Sequence, residues 1–148
     1  MAETTNGQIV VFSLGNEEYA LPIDQVQEII RYTQPRAVAS DVHWIRGVIS
    51  LRGKIVPVCD LAAHLGVHAE KETDGNIVIV EAEGLTAGIV VDEVDEVLTI
   101  EEEQLEAVPA TSSASMESIA KIGDRLVVLL NSEAIFGEVD LSTHAAAA

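Results

Sequence analysis

The apolar segments of this chain are short, rich in β-branched residues and separated by turn residues. Two examples are residues 9–14 (IVVFSL) and 77–82 (IVIVEA), each followed closely by a glycine. Runs of this length and composition are typical of strands, whereas an amphipathic helix shows a longer pattern with a period of 3.6 residues. We therefore expect a mostly β fold built from small sheets or barrels, and not a helical bundle.

The same pattern predicts nine strands, joined in part by short turns such as Gly15-Asn16, Arg52-Gly53-Lys54 and Gly123-Asp124. A hairpin-rich half ends near Gly66 and a second one follows, which suggests two similar barrels. The predicted strands are residues 9–14, 19–23, 45–51, 55–59, 77–82, 86–91, 97–100, 119–122 and 126–130.

Short helices are predicted at three places. Residues 24–30 (DQVQEII) would begin at Asp24 as the N-cap and turn their apolar side chains inward. Residues 61–65 are bounded by Asp60, a good N-cap, and by Gly66, a good helix terminator. Residues 132–136 would close the fold.

Composition sets limits on the core and on the compartment. A chain of 148 residues fits one domain or two small intertwined halves, and an apolar fraction of 48% can fill a core. Aromatic residues make up only 3%, so Val, Ile, Leu and Ala must build that core. Cys59 is the single cysteine, which excludes an intramolecular disulfide. No signal peptide is visible in the first residues, and we expect a cytoplasmic protein.

The charge balance excludes two classes of partner. The formal net charge is −17, which would repel the phosphates of nucleic acid and an anionic membrane surface. No apolar run approaches the length of about 20 residues that spans a bilayer, so direct membrane insertion is not expected.

Positive charge is scarce but concentrated. Five of the eight basic residues fall between Arg31 and Lys54. If residues 45–52 form a strand, its period of two residues places one set of side chains outward and the other in the core. The predicted outward stripe is Arg46, Val48, Ser50 and Arg52, and the predicted inward set is Ile45, Gly47, Ile49 and Leu51.

Two interpretations of this cluster stay open. The arginines could form a binding face for a partner with carboxylates around an apolar ridge, because the planar guanidinium pairs with carboxylates in a bidentate way. Alternatively, they could neutralise acidic residues of the same chain, such as Glu28 or Asp41. The concentration of cations in so acidic a chain favours the binding face.

Candidates for catalysis or metal binding are weak. His64 and His68 lie four residues apart near Asp60 and Glu70, but Gly66 would break the helix needed to align the two imidazoles. Cys59 ends an apolar strand and is expected to act as a small buried hydrophobe. No metal site, catalytic residue or cofactor site is predicted.

An acidic run could also suggest paired carboxylates for acid–base chemistry. A solvated acidic face is the commoner explanation of such a run. The residues concerned are Asp92, Glu93, Asp95 and Glu96.

The segment 46–61 (RGVISLRGKIVPVCDL) resembles the CheW family of bacterial chemotaxis coupling proteins, in which it typically reads RGVINLRGxIIPVxDL. The resemblance extends to residues 18–23, 26–29, 88–94 and 122–131, and it covers most of the chain from about residue 8 to residue 136. Ser50 departs from the usual asparagine, and Cys59 departs from the usual valine or isoleucine. Neither departure changes the expected fold.

The resemblance implies two intertwined, SH3-like five-stranded β-barrels with a few short helices and a hydrophobic core between the barrels. We expect this domain at residues 8–137, between a flexible tail at 1–7 and a C-terminal tail at 138–148 that is disordered at its end.

It also implies a non-enzymatic adaptor that couples the cytoplasmic tips of chemoreceptors to the regulatory domain of the histidine kinase CheA. Such a protein is cytoplasmic and associates with membrane receptor arrays through its partners. The implied receptor-binding residues are Val26, Glu28, Gly47, Arg52 and Gly88. Ile77 and Val78 are weaker candidates for kinase binding.

Two alternatives remain at this point. The first keeps the CheW-like scaffold but places it in a signalling pathway other than chemotaxis. The second is a small metal-dependent hydrolase that uses the histidine and carboxylate cluster at residues 60–70.

Overall fold

The computed structural model describes residues 7–37, 44–66, 75–82, 84–107, 116–132 and 135. The expected tails at 1–7, apart from Gly7, and at 138–148, and most of the predicted helix at 132–136, lie outside these residues. None of the helices in the described ranges is long and apolar enough to cross a membrane.

Strands dominate the described part of the chain, and one short α-helix, α1 (Leu61–Leu65), accompanies them. Single turns of 3₁₀ helix occur at Ile23–Gln25 and Glu102–Gln104. The strands are β1 (Gln8–Leu14), β2 (Glu17–Pro22), β3 (Val26–Arg31), β4 (Ile45–Leu51), β5 (Lys54–Asp60), β6 (Asn76–Ala82), β7 (Leu85–Val91), β8 (Glu93–Thr99), β9 (Leu105–Glu106), β10 (Met116–Ile122) and β11 (Arg125–Leu130). The mostly β prediction is confirmed.

Two sheets divide the strands in a nested way. The first has the order β8-β1-β2-β11-β10-β9, and the second has the order β3-β6-β7-β5-β4. The parallel pairing of β2 with β11, at Tyr19 and Val128, joins the two ends of the chain. The second sheet is therefore inserted between β2 and β8, so the two sheets are intertwined along the chain and do not divide at Gly66. Apart from the two-residue strand β9, each sheet has the five strands that the resemblance implied.

Three apolar clusters fill the fold, one for each sheet and one between them. The sequence alternates along the strands so that successive residues enter different clusters. In β6, Ile77 and Ile79 pack inside the five-stranded sheet, whereas Val78 and Val80 pack in the shared cluster. Burial on both faces explains why these strands are apolar without interruption. Aliphatic side chains dominate all three clusters, as the low aromatic content predicted.

Residues 26–31 form a strand and not the predicted helix. β3 pairs antiparallel with β6, placing Ile30 opposite Ile77, and its residues alternate between half-buried and exposed. Asp24 lies inside a 3₁₀ turn whose N-cap is Pro22, so it does not begin a helix. Branched side chains such as Val26 fit a pleated surface, and pairing with β6 outweighs the local helical pattern.

The helix predicted at 61–65 is confirmed with both of its boundaries. The Asp60 carboxylate accepts a hydrogen bond from the Ala63 N–H at 3.2 Å, and Gly66 ends the helix with a φ of +76°. These are the roles expected of an N-cap carboxylate and of a glycine in the left-handed region.

One isolated bridge closes the five-stranded sheet. β3 and β4 are the two edges of that sheet, and the segment after β3 turns back to meet β4. Arg36 and Val48 exchange both of their backbone hydrogen bonds, at 2.8 and 2.9 Å. This bridge sets the position of the β4–β5 hairpin over β3.

Candidate docking surface

Arg52 occupies an unusual backbone position. The β4–β5 hairpin pairs Leu51 with Lys54, so Arg52 and Gly53 form a two-residue loop with φ angles of +53° and +81°. A loop with positive φ at both positions normally takes asparagine, aspartate or glycine, because other side chains crowd the backbone there. Arginine is not a residue that this backbone conformation favours. A residue that breaks a local rule in this way is a candidate for function.

The guanidinium of Arg52 lies on the surface, where it pairs with Glu28 of β3. Its side chain is 70% exposed, and its two terminal nitrogens each donate to one carboxylate oxygen, with Nη2 to Oε1 at 2.9 Å. This hydrogen bond lowers the pKa of the Glu28 carboxyl, and the positive charge adds to the effect. The arginine therefore neutralises an acid of its own chain and also remains open to a partner.

Only half of the predicted outward stripe faces solvent. Ser50 and Arg52 are exposed, but Val48 is only 8% exposed because the segment around Arg36 covers it. Arg46 is partly buried and donates to the Asp60 carboxylate at 2.9 and 3.2 Å and to the Tyr32 hydroxyl at 3.2 Å. A β-bulge between Ile45 and Gly47 interrupts the simple alternation. The prediction is wrong for Arg46 and Val48.

Three further cations lie on the segments that flank the seam between β3 and β4, without an acidic partner among the described residues. Arg31 ends β3, Arg36 forms the closing bridge through its backbone, and Lys54 begins β5. All three residues are exposed. Together with Arg52, they make this region the positive surface of a strongly acidic chain.

Two of the predicted receptor-binding positions are buried glycines. An added Cβ at Gly47, where φ is +150°, would lie 2.1 Å from the Arg36 carbonyl oxygen. An added Cβ at Gly88 would lie 2.7 Å from Cγ2 of Ile77. Both positions need glycine for close packing, and neither offers a side chain to a partner. The structure therefore brings Glu28 and Arg52 together at the surface. Gly47 and Gly88 instead allow close packing of the strands in the interior.

The other three predicted positions differ in their exposure. Val26 is half-buried and packs against the shared cluster. Ile77 and Val78 have an exposed fraction of 0%, so their side chains present no surface to a kinase in this structure.

Sequence reasoning did not identify two exposed apolar side chains, one on β3 and one in the β4–β5 hairpin. Ile29 is 41% exposed and Ile55 is 54% exposed, although both belong to strands. Ile55 lies opposite Ser50 in the β4–β5 register, so the outward position of Ser50 was the signal that could have placed Ile55 outside.

The weak candidates for chemistry have structural partners instead. The ring of His64 packs against Trp44 with a centroid distance of 4.4 Å, and Asp60 is held by Arg46 and by α1. His68 and Glu70 lie outside the described residues. Within the described ranges, no three His, Cys, Asp or Glu side chains lie close enough to hold a metal ion. Cys59 is buried, and burial raises the pKa of its thiol.

Three carboxylates of the acidic run accept hydrogen bonds from donors on other elements. Asp92 is buried, contrary to the expected solvated face, and accepts a hydrogen bond from the Gly15 N–H at 2.7 Å. Asp95 accepts from the Ser13 hydroxyl at 2.7 Å, and Glu96 pairs with Arg125 at 2.7 Å. These carboxylates hold strands together.

Comparisons with known proteins agree with this architecture. A family model described as the CheW-like domain matches residues 8–140. The chemotaxis protein CheW of Klebsiella aerogenes is 32% identical over 145 residues, covering 95% of this chain and 87% of that protein. The chemotaxis protein CheW of Bacillus subtilis is 32% identical over 136 residues, covering 88% and 87%.

A solved structure gives the same result for the fold. The scaffolding protein TtCheW from Thermoanaerobacter tengcongensis superposes with a TM-score of 0.83 at 37% sequence identity, covering 89% of this chain and 88% of that one. Its strand arrangement and its sequence both match over nearly the whole length. On these grounds, the chain belongs to the CheW family.

Proposed function

We propose that this chain is a non-enzymatic adaptor that couples chemoreceptors to a CheA-type histidine kinase in chemotaxis signalling arrays. Membership of the CheW family over most of the length carries the proposal. The relatives are named chemotaxis proteins, and the similar solved structure is described as a scaffolding protein. The adaptor would be cytoplasmic and would reach the membrane only through its partners.

The receptor contact is proposed for the surface around Arg52 and Glu28. In the free protein the two charges satisfy each other, and both remain accessible. A receptor helix that supplies a carboxylate to Arg52, or a cation to Glu28, would replace one charge-assisted hydrogen bond by another. The kinase contact is left to other surfaces, because Ile77 and Val78 are buried.

Affinity for each partner is expected to be modest. Transient signalling contacts bury less than about 1,200 Å² in total. An adaptor that holds receptor and kinase at once gains from effective concentration, so weak single contacts suffice for a stable array.

Co-sedimentation tests the proposal directly. Receptor-containing membranes are mixed with the kinase and with wild-type protein, Arg52→Glu or Lys121→Glu. Lys121 is also exposed and paired, with Glu106 at 3.3 Å, but it lies on the six-stranded sheet. We expect Arg52→Glu to weaken receptor binding by more than about tenfold and Lys121→Glu to bind like wild type. Failure of the wild type to bring the kinase to the membranes would refute the adaptor role.

A charge swap separates a direct contact from a structural one. The double variant Glu28→Arg/Arg52→Glu restores an ion pair across the same strands. If Arg52 acts only by holding β3 to the hairpin, the swap restores receptor binding. If its guanidinium contacts the receptor, as we propose, binding stays lost while the thermal midpoint returns toward that of the wild type.

A further inference from the structure

A groove of about 430 Å³ lies along the seam where the five-stranded sheet closes. One wall is formed by the end of β3 and the segment after it, and the other wall is formed by β4 and the start of β5. Most of its lining is aliphatic, with a few polar side chains. The residues that line it are Ile30, Thr33, Gln34, Arg36, Val48, Ile49, Ser50, Leu51 and Ile55.

The groove exists because the two walls are tied at both ends and separate between them. The backbone bridge of Arg36 with Val48 ties one end, and the ion pair of Arg52 with Glu28 ties the other. If the antiparallel pairing continued, the next pair after this bridge would be Gln34 with Ser50. In the part of the chain that the structure describes, the bridge stays isolated and that pair does not form.

Ser50 therefore presents a free strand edge to the groove. Val48 directs its N–H and C=O toward Arg36, and a residue two positions further along a strand directs these groups to the same side. No backbone partner for Ser50 on that side occurs among the described residues. Exposed strand edges bind additional strands, since their hydrogen-bonding groups are already aligned.

Charge and lining indicate what kind of strand fits. Arg36 lines the groove and Lys54 lies next to Ile55, and neither has an ion-pair partner among the described residues. Side chains of an added strand alternate in direction, so one set would enter the aliphatic groove and the other would face these cations.

We propose that this groove binds an extended peptide segment of a partner protein, in which branched apolar residues alternate with acidic residues, and that the segment adds a strand to β4 at Ser50. Main-chain hydrogen bonds to Ser50 supply the attachment, the aliphatic lining selects the apolar side chains, and Arg36 selects the acidic ones. This contact uses the groove lining and does not need the Arg52 guanidinium, although the Arg52–Glu28 pair of the proposed receptor contact closes one end of the groove.

A titration with a designed peptide tests the proposal. The ¹⁵N-labelled full chain is titrated with acetyl-Gly-Glu-Val-Glu-Ile-Glu-Val-Gly-amide. We expect amide shifts at Gln34 and Ser50 and slower hydrogen exchange of the Ser50 N–H. A control peptide of the same composition, with the three glutamates in one block and the three apolar residues in the next, should bind at least about tenfold more weakly.

Matched variants distinguish strand addition from nonspecific binding of the peptide. Ser50→Pro removes the groove-facing N–H, and proline is tolerated on an edge strand at such a position. It should abolish peptide binding, whereas Ser50→Ala should keep it. Arg36→Gln leaves the backbone bridge intact and should weaken binding severalfold, most clearly at low salt.

Several results would overturn the proposal. The first is a wild-type titration that leaves the Gln34 and Ser50 amides unchanged, and the second is equal binding by Ser50→Pro. If Ser50→Pro fails to fold, equal binding of the two peptides, or of Arg36→Gln and wild type, takes its place. A Ser50 amide that is protected without peptide, in proportion to protein concentration, would identify a second copy of the chain as the occupant.

Discussion

Arg52 occupies a backbone position that its residue type disfavours, and this makes it a candidate for function. Its positive φ suits asparagine or glycine, and its side chain is turned to the surface, where it makes one ion pair with Glu28. The clustering of cations and the two-residue period of the predicted strand together placed this residue on the outward stripe, and the family resemblance named it as well. Its pairing with Glu28 could not be derived in the same way, since that depends on how β3 and the hairpin meet.

We predict that Arg52→Asn separates stability from binding. Asparagine followed by glycine is the preferred pair for a two-residue hairpin loop with positive φ angles. The variant should keep or raise the thermal midpoint, by up to about 4 °C, and should lose receptor co-sedimentation. Calorimetry and the membrane assay measure the two effects. A lower midpoint would show that the guanidinium, and not the turn, determines the stability of this hairpin.

Cys59 offers a second prediction at the same scale. Burial, followed by the nearby Asp60 charge, raises the pKa of its thiol in the folded protein. The thiol of the unfolded chain loses its proton above about pH 8.5, whereas the folded protein keeps it protonated. The unfolded state therefore binds fewer protons there, and stability must fall as the pH rises.

The loss of stability with rising pH can be measured by comparison with Cys59→Ala, which lacks the titrating group. The stability difference between wild type and variant should be constant below about pH 8 and should shrink by up to about 1.4 kcal/mol per pH unit above about pH 9. Urea unfolding at several pH values gives both curves. Parallel curves over the whole range would contradict a buried, protonated thiol.

At the scale of elements, the sequence predicted the hairpins and α1 well but mistook β3 for a helix. The signals at α1 are local, since Asp60 and Gly66 act on the backbone beside them. At residues 26–30, spacing suited a helix, and only the distant partner β6 decided the outcome. The need for glycine at a buried position such as Gly88 also could not be predicted locally, because its packing neighbours come from other strands.

Asp60 contacts two elements, so its substitution should have two separable effects on stability, one from the helix cap and one from the ion pair. Its carboxylate caps α1 and also accepts hydrogen bonds from Arg46 of β4. Asp60→Ala should destabilise the protein by about 2–4 kcal/mol, because it removes the cap and leaves a partly buried guanidinium without its partner. Asp60→Asn keeps a cap acceptor but loses the charge, so its stability should lie between those of the wild type and Asp60→Ala. Equal stability of both variants would remove the cap from the explanation.

At the scale of the whole molecule, the nested order of the sheets was beyond sequence patterns alone. Every strand pair of the five-stranded sheet lies within one contiguous stretch from β3 to β7, whereas the six-stranded sheet draws on both sides of that stretch. Turn residues predict hairpins, but no local sequence pattern predicts the parallel pairing of β2 with β11. Resemblance to a known family supplied the intertwined arrangement, and the structure confirms it.

This nesting has a consequence for folding that can be tested. The five-stranded sheet could in principle form alone, but one face of β6 and β7 would then expose the side chains of the shared cluster, among them Val80 and Ile89. An exposed apolar patch of that kind is unfavourable, so the two sheets should unfold together. Fluorescence of the single tryptophan, Trp44, reports the shared cluster, and far-ultraviolet circular dichroism reports all strands. In urea, both signals should follow one transition.

Two matched substitutions test more stringently whether the two sheets unfold together. Val80→Ala thins the shared cluster, and Val127→Ala thins the cluster of the six-stranded sheet. Each should cost about 1–3 kcal/mol, and each should shift the Trp44 and circular dichroism transitions equally, because neither sheet persists without the other. If Val127→Ala instead left the Trp44 transition in place and split the circular dichroism curve, the five-stranded sheet would be an independent folding unit. The shared cluster would then be an interface between two domains.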